Sequence, residues 1–456
     1  MGTLREIAAA TADSARPIFR TPHLTLSAND IAEGSCLAGD AEKLRDKNVL
    51  LVTKSQLATG LALLELDGIV RRMVLCTPEL TPQQLARVAA TAEADAIVCD
   101  GRSRSRHFSG LNSFPVVLPH KPRSHEAPRD RKTEWVLLTS GTTGAPKLVV
   151  HDLSTLTGAI GGHKVSAPPM VWGTFYDIRR YGGLQVFLRA LAQGGSLVLP
   201  DADETMDDFI CSVAAQGINF LSGTPSHWRR ALMSPAARRL EPRHVRLSGE
   251  IVDQAILDRL RASYPGANVV HAFASTEAGV AFEVADAREG FRAIFLDRPD
   301  GAVELKLVDG TLRVRSPRVA RRILGCDEPV VDLDGFVNTR DTIERRGERY
   351  YFGGRNDGTI NIGGNKVHPE EIEAALNRHP QVAASRAKAR RNPVMGALIE
   401  ADVVLRDGIE PEAEKLGNEI LAFCARVLPP HKRPIAVHVV SALELGAAGK
   451  LERNRA

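Results

Sequence analysis

The feature that most limits how this chain can fold is a recurrence of short apolar runs rich in β-branched residues. NVLLVT (48–53), MVLCT (73–77), AIVCD (96–100), SLVLP (196–200) and NVVHAF (268–273) are separated by longer stretches of helical pattern. A strand that is apolar on both faces needs cover on both, so the alternation predicts parallel sheets faced by helices, an α/β fold. Helices are expected over 81–94, which starts on Thr81-Pro82, and over 253–264, where Ile256, Leu257 and Leu260 share a face. After Gly301 the texture changes. VELKLVDGTLRVRS reads as a hairpin turning at Asp309-Gly310, so antiparallel structure follows the α/β part. A further boundary is expected at GGRNDG (353–358), whose glycines and Asn-Asp are predicted to interrupt the strand-like ERYYF. Beyond it, VHPEEIEAALNRHP carries a proline at a first helical position and acidic residues in the first turn, and AVHVVSAL (436–443) reads as a strand.

At 456 residues, about 43% hydrophobic, the chain exceeds what one core supports, and two or three domains are expected. Its 59 Lys and Arg against 55 Asp and Glu leave a net charge of +4, too little on this length to imply a nucleic-acid or membrane partner. The six cysteines stand singly, without CxxC pairs or zinc spacing, as reduced thiols do. No run approaches 18 apolar residues, and Glu6 stands where a myristoylation motif needs Ser or Thr. A soluble, cytoplasmic protein is therefore expected.

Chemistry enters at WVLLTSGTTGAPKLVVH, where a strand over 135–138 feeds a loop of two glycines, four hydroxyl residues and a lysine. Glycines let backbone amides approach phosphate oxygens, hydroxyls add donors, and Lys147 offsets anionic charge. It is not a Walker A loop, because Pro146 stands where that motif has glycine and Leu148 where it has Ser or Thr. A plain Gly/Ser/Thr-rich surface turn is the alternative.

The ten residues LTSGTTGAPK resemble the phosphate-loop signature of the adenylate-forming (AMP-binding) superfamily, which comprises acyl-CoA synthetases, peptide-synthetase adenylation domains and luciferases. Four further motifs fall in that superfamily's order. FASTEAG (273–279) is similar to its aromatic-Gly-x-Thr-Glu motif, with Ala274 in place of Gly; NTRD (338–341) resembles its Thr-Gly-Asp, with Arg340 in place of Gly. GRNDGTINIGGNKVHPEEIE (354–373) resembles the opening of its small C-terminal domain, and GAAGKLERN (446–454) its terminal Gly-Lys. The first 130 residues share only the α/β texture, and that leader is shorter than is usual in the family. The resemblance implies a large N-terminal domain, 1–354, of parallel-sheet α/β subdomains plus a β-rich subdomain. A small, mobile α+β lid domain, 355–456, would follow it.

The resemblance also implies an activity: ATP-dependent conversion of a carboxylic acid to an acyl-adenylate, then transfer to the thiol of coenzyme A. Lys450 matches the catalytic lysine, Glu277 the magnesium ligand and Thr276 a phosphate donor. Thr139, Ser140, Gly141, Thr142, Thr143, Gly144 and Lys147 form the phosphate loop. Gly249 and Glu250 of LSGE match an adenine-contacting loop and Phe273, Ala274 and Ser275 the nucleotide motif, while Asp341 and Arg355 match the ribose-holding pair. Asp357 matches the hinge, and Gly363 and Gly364 the thiol tunnel. Tyr176, Tyr181 and Gly223 occupy the region of the acid pocket, although either tyrosine could instead be a core aromatic. Arg179 and Arg180 could read a second carboxylate on the substrate, and a solvated surface pair is the plainer expectation. Two alternatives remain: loading of a separate acyl or peptidyl carrier protein, and a nucleotide-binding regulator without catalysis.

Overall fold

The computed structural model describes residues 2–9, 15–100, 110–117, 121–122, 128–139, 146–161, 169–201, 204–297, 302–362, 365–392, 396–406, 413–446 and 448–452. Each of the five apolar runs forms a strand. Asn48–Val52, Arg72–Leu75 and Ala96–Cys99 belong to a seven-stranded sheet, parallel at its centre and ending in the antiparallel Lys147–His151 and Arg322–Leu324. Ser196–Val198 and Asn268–Ser275 belong to an eight-stranded sheet. Its inner order is Asn268–Ser275, His244–Ser248, Phe220–Gly223, Val171–Thr174, Ser196–Val198 and Pro17–Arg20, all parallel.

Two helices, Gln56–Leu66 and Tyr181–Ala192, share one apolar cluster with residues of both sheets, including Phe19, Leu51, Leu137, Trp135, Trp172 and Phe187. Phe19 and Phe187 stack there with centroids 5.8 Å apart. Ten of the eleven residues of Gln56–Leu66 are buried, which explains why that segment is apolar all round rather than on one face. Both expected helices form and are capped: Thr81 accepts from the Gln84 amide ahead of Pro82–Thr91, and Asp253 from the Ile256 amide ahead of Gln254–Ser263.

The hairpin expected at Asp309-Gly310 joins Glu304–Val308 to Thr311–Arg315 within a five-stranded sheet whose pairs are all antiparallel. One detail differs from expectation. Gly353 and Gly354 do not interrupt the strand but continue Arg349–Arg355: Gly354 pairs with Thr342 and Arg355 with Asp341, Gly353 takes up a register shift, and the turn comes only at Asn356–Gly358. Glycine here serves a bulge, where a side chain would crowd the ladder.

The C-terminal residues gather a separate apolar cluster, from Ile360 and Val367 through Ile372, Leu376, Ile399 and Val403 to Ile420 and Cys424. It packs around Val382–Asn392, Gly396–Leu405 and Ala436–Val439, with Pro369–Leu376 starting on proline as expected. Cys36, Cys76, Cys99 and Cys424 are buried free thiols; Cys211 is partly exposed and Cys326 exposed. No helix among the described residues is long and apolar enough to cross a membrane.

Candidate active site

Parallel strands end together, so the carboxyl edge of the eight-stranded sheet collects the turns that follow Phe220–Gly223, His244–Ser248 and Asn268–Ser275. Those turns carry Thr224, Gly249-Glu250 and Thr276-Glu277. The chain's last described residues reach back to the same edge. The Thr224 hydroxyl donates to the Gly449 carbonyl at 2.6 Å, and the Leu451 amide donates to Glu250 Oε1 at 3.0 Å. Between these two clasps Lys450 lies against Gly249: a Cβ built on that glycine would stand 3.4 Å from Lys450 Cε and 3.9 Å from Nζ. Gly249 is also at φ 89, a conformation glycine adopts freely. Gly449, at φ 67, has no room at all, since a Cβ there would overlap the His227 imidazole.

Lys450 is exposed to solvent as a residue, yet its surroundings are dense enough that desolvation draws its pKa below the ordinary lysine value. Glu250, Asp341 and Glu277 act in the opposite direction and Arg355 with the burial, so all four face the ammonium. Asp341 is pushed up to about 6, chiefly by burial, with Arg355 and Lys450 holding it down. Asp341 and Arg355 are cross-strand partners. In this state the Arg355 guanidinium is held by Asp357 at 3.0 Å, and Asp357 also faces Arg340 at 3.7 Å. Arg340, where the family has glycine, sits at φ 63. That left-handed backbone is the reason glycine is usual, and here the Asn338 side chain eases it by accepting from the Arg340 amide at 2.9 Å.

Glu277 is half-buried, and among the described residues it has no ion-pair partner. Thr276 presents its carbonyl to His151 Nε2 at 2.7 Å, and burial lowers His151 to about 4, so the neutral ring donates through Nε2. His151 thereby ties the strand after the phosphate loop to the Thr-Glu turn. Ser275 Oγ accepts from the Ala278 amide at 3.0 Å, and Phe273, beside Ala274, stacks on Phe352 at 5.0 Å. Of the phosphate-loop residues, Thr139 and Lys147 end facing strands, paired in register. Thr139 Oγ1 is buried with no hydrogen-bond partner among the described residues, an orphan that a phosphate oxygen would satisfy. Ser140, Gly141, Thr142, Thr143 and Gly144 lie outside the described residues, as do Gly363 and Gly364.

Both tyrosines offered for the acid pocket are buried, Tyr181 within the main apolar cluster. The Tyr176 hydroxyl donates to the Ser248 carbonyl at 2.7 Å with its ring edge-on to His227, and Tyr181 lies 5.8 Å from His151. Gly223 ends its strand beneath Phe175, which a Cβ there would crowd. The arginine pair departs from its expectation. Arg179 is buried, bonded to Asp177 at 2.7 Å and to the Thr53 carbonyl, while Arg180 pairs with Glu79. Neither is a solvated surface charge, and both guanidiniums are ion-paired within the protein. The sequence reading missed Thr224, His227 and His151 as positioning residues. A lone His or Thr near a motif carries no signal until the fold brings Gly449 or Thr276 to it.

Residues 55–321 match the AMP-binding enzyme family, and residues 371–450 match the AMP-binding enzyme C-terminal domain. The chain belongs to this adenylate-forming family. Among curated relatives, syringomycin synthase SyrB1 of Pseudomonas syringae pv. syringae is 26% identical over 83% of this chain and 68% of its own length. The p-hydroxybenzoic acid–AMP ligase FadD22 of Mycobacterium tuberculosis is 26% identical over 83% of this chain and 57% of its own. The chain thus spans roughly three-fifths of the curated relatives it matches. Among solved structures, the anthranilate CoA ligase AuaEII with anthranoyl-AMP superposes with a TM-score of 0.82 at 17% identity, covering 99% of this chain and 95% of that one. A benzoate CoA ligase from Burkholderia xenovorans LB400 gives 0.81 at 20% identity, covering 99% of both. The two matches place an AMP-binding enzyme domain and its C-terminal domain along one chain, with the solved structures sharing that fold.

Proposed function

We propose that this protein joins a small carboxylic acid to the thiol of coenzyme A in two steps at one site. The observation that carries the reading is the delivery of Lys450 from the chain's end to the Gly249-Glu250 turn, facing Glu277 and Asp341. In the first step a carboxylate oxygen attacks the α-phosphorus of ATP, the bond to the bridging oxygen breaks, and pyrophosphate leaves. Negative charge gathers on the phosphoryl oxygens, so a fixed ammonium beside them lowers the barrier without any proton transfer. Lys450 takes that part. Thr276 and the phosphate loop from Thr139 to Lys147 donate to phosphate oxygens, with Thr142 and Thr143 among them. Asp341, when ionised, accepts from the ribose hydroxyls, Arg355 supports it, and Glu250 and Gly249 border the adenine with Phe273, Ala274 and Ser275.

A magnesium ion, when bound, offsets charge on the phosphates. It is held in such sites by one or two carboxylates plus phosphate oxygens, which the unpaired Glu277 fits. In the second step the thiol attacks the adenylate carbonyl and AMP leaves. We assign 355–456 as a lid that turns about Asp357 between the steps, with Gly363 and Gly364 lining the thiol's path. The turn Asn356–Gly358 and the few clasps on Gly449 and Leu451 support that assignment.

Acid-dependent exchange of pyrophosphate into ATP tests the first step, and thioester formation with coenzyme A or with an apo-to-holo converted carrier protein tests the second. Exchange followed by acyl-CoA formation is expected. Exchange with transfer only to a carrier would replace coenzyme A as acceptor, and ATP binding without exchange for any acid would leave a nucleotide-binding regulator.

A further inference from the structure

The strand His244–Ser248 runs inward from the Lys450 contact at Gly249, and its alternation puts Ser248, Arg246 and His244 on one face. Ser248 meets Tyr176. Arg246 follows one repeat further in, about 7 Å along the strand. It is buried, and its guanidinium pairs with Glu283, whose side chain is 39% exposed, on the edge strand Gly279–Val284, one strand beyond Asn268–Ser275. The helix Tyr181–Ala192 packs on Val171–Thr174 and Ser196–Val198 of the same sheet, with Tyr181, Gln185 and Arg189 spaced four apart on one of its faces. Helical side chains lean toward the N-terminus, so Arg189 points back over Gln185 toward Tyr181. Arg189 Nε and Gln185 Oε1 are buried without hydrogen-bond partners among the described residues, and Arg189 has no carboxylate partner among them.

Charge does not balance in this corner. Arg246, Arg189 and Arg318 all act on Tyr181; Glu283 pairs with the first of them, and Glu250 acts from the far side of Tyr176. Burial and then Arg189 bring Arg246 down to about 9, and burial followed by these two arginines holds His244 near 4, as a neutral ring. Arg318 spends its donors on the carbonyls of Val280 and Gly158. Arg246 has one carboxylate partner and Arg189 has none among the described residues, so the two like charges repel each other and a second anion between them would relieve both.

We propose that the acid activated here carries a second anionic group, read by Arg246 and Arg189 inward of the contact between Ser248 and Tyr176. The inference rests on the proposed reaction at the same site. A second carboxylate is the best match, since a guanidinium takes it in bidentate fashion. Arg246 and Arg189 fill the role that sequence had offered to Arg179 and Arg180, which the fold commits elsewhere.

The test is pyrophosphate exchange with matched acids: a monocarboxylate such as benzoate or hexanoate, and the same skeleton with a second carboxylate at the far end. The diacid is expected to be favoured at least about tenfold in kcat/KM, as expected where a buried polar site rejects the analogue lacking its partner. Arg189→Met should collapse that ratio toward one, chiefly through KM. Because Arg246→Met alone strands Glu283, the double variant Arg246→Met/Glu283→Gln is compared with it, and ATP binding by calorimetry confirms a folded site in each. A wild-type preference for the monoacid, or equal losses for both acids in Arg189→Met and in the double variant, would overturn the inference and leave the reaction standing. No exchange with any acid would overturn both.

Discussion

Two charged regions of the eight-stranded sheet hold their charges differently. At its carboxyl edge Lys450 arrives on a tail fastened by two hydrogen bonds, Thr224 to Gly449 and Leu451 to Glu250. One repeat inward from Ser248, Arg246 is set in a parallel strand with partners on both sides, and the indole of Trp228 donates to its carbonyl at 3.4 Å. In the proposed reaction the first charge would be withdrawn as the tail leaves, whereas the second, fixed in its strand, would limit which acid binds rather than when it reacts.

The sharpest way to break this contrast is Gly449→Ala. A Cβ there would collide with His227 and lift Lys450 away, so adenylate formation in single turnover should fall about 10²-fold, comparable with loss of one preorganised donor. Thioester formation from preformed adenylate should persist. An unchanged adenylation rate would mean that the seated tail is not the reactive state. The next effect is in pH. Asp341 sits near 6 because burial disfavours its charge, so the ionised form needed by the ribose appears only as pH rises through that value. ATP affinity should weaken about tenfold per unit below pH 6 in calorimetry, and Asp341→Asn should be flat. For stability the sign is opposite: the folded carboxyl keeps its proton longer than the unfolded one, so its contribution declines between about pH 4 and 6.

A smaller effect is expected across the contact between Asp253 and Asn377, which bond at 3.0 Å while Asp253 also holds Arg229. Asn377→Ala should loosen the C-terminal residues and lower adenylation about threefold, with thioester formation unchanged or faster; stopped-flow measurement of each half-reaction reads this. Smallest is Arg340→Gly. Relieving the left-handed backbone should raise stability in denaturant melts by about 0.5 kcal/mol, after allowing for the freer unfolded chain.

What could be read from the sequence follows the same division. Strands such as Asn48–Val52 and the capped helix Pro82–Thr91 were legible because their signals are local, periodicity and turn chemistry. Glu277, Asp341 and Lys450 were singled out by short contiguous motifs, and the fold brings the three to face one another. The bulge at Gly353-Gly354 was not, because the same glycines suit a turn and a shifted ladder, and only the partner strand decides. Arg246 and Arg189 lie 57 positions apart in unmarked segments, and nothing local distinguishes them from surface arginines. Arg179 and Arg180 show the reverse error: an adjacent pair looks available until Asp177, Thr53 and Glu79 are placed around it.

The most direct test of the central claim is ATP–pyrophosphate exchange by Lys450→Ala beside its ATP affinity. The account predicts a fall of about 10²- to 10³-fold in acid-dependent exchange with the dissociation constant for ATP within about threefold of wild type. Exchange that persists at the wild-type rate would contradict it, because the charge delivered from the chain's end would then not be the one that stabilises the transferring phosphoryl group.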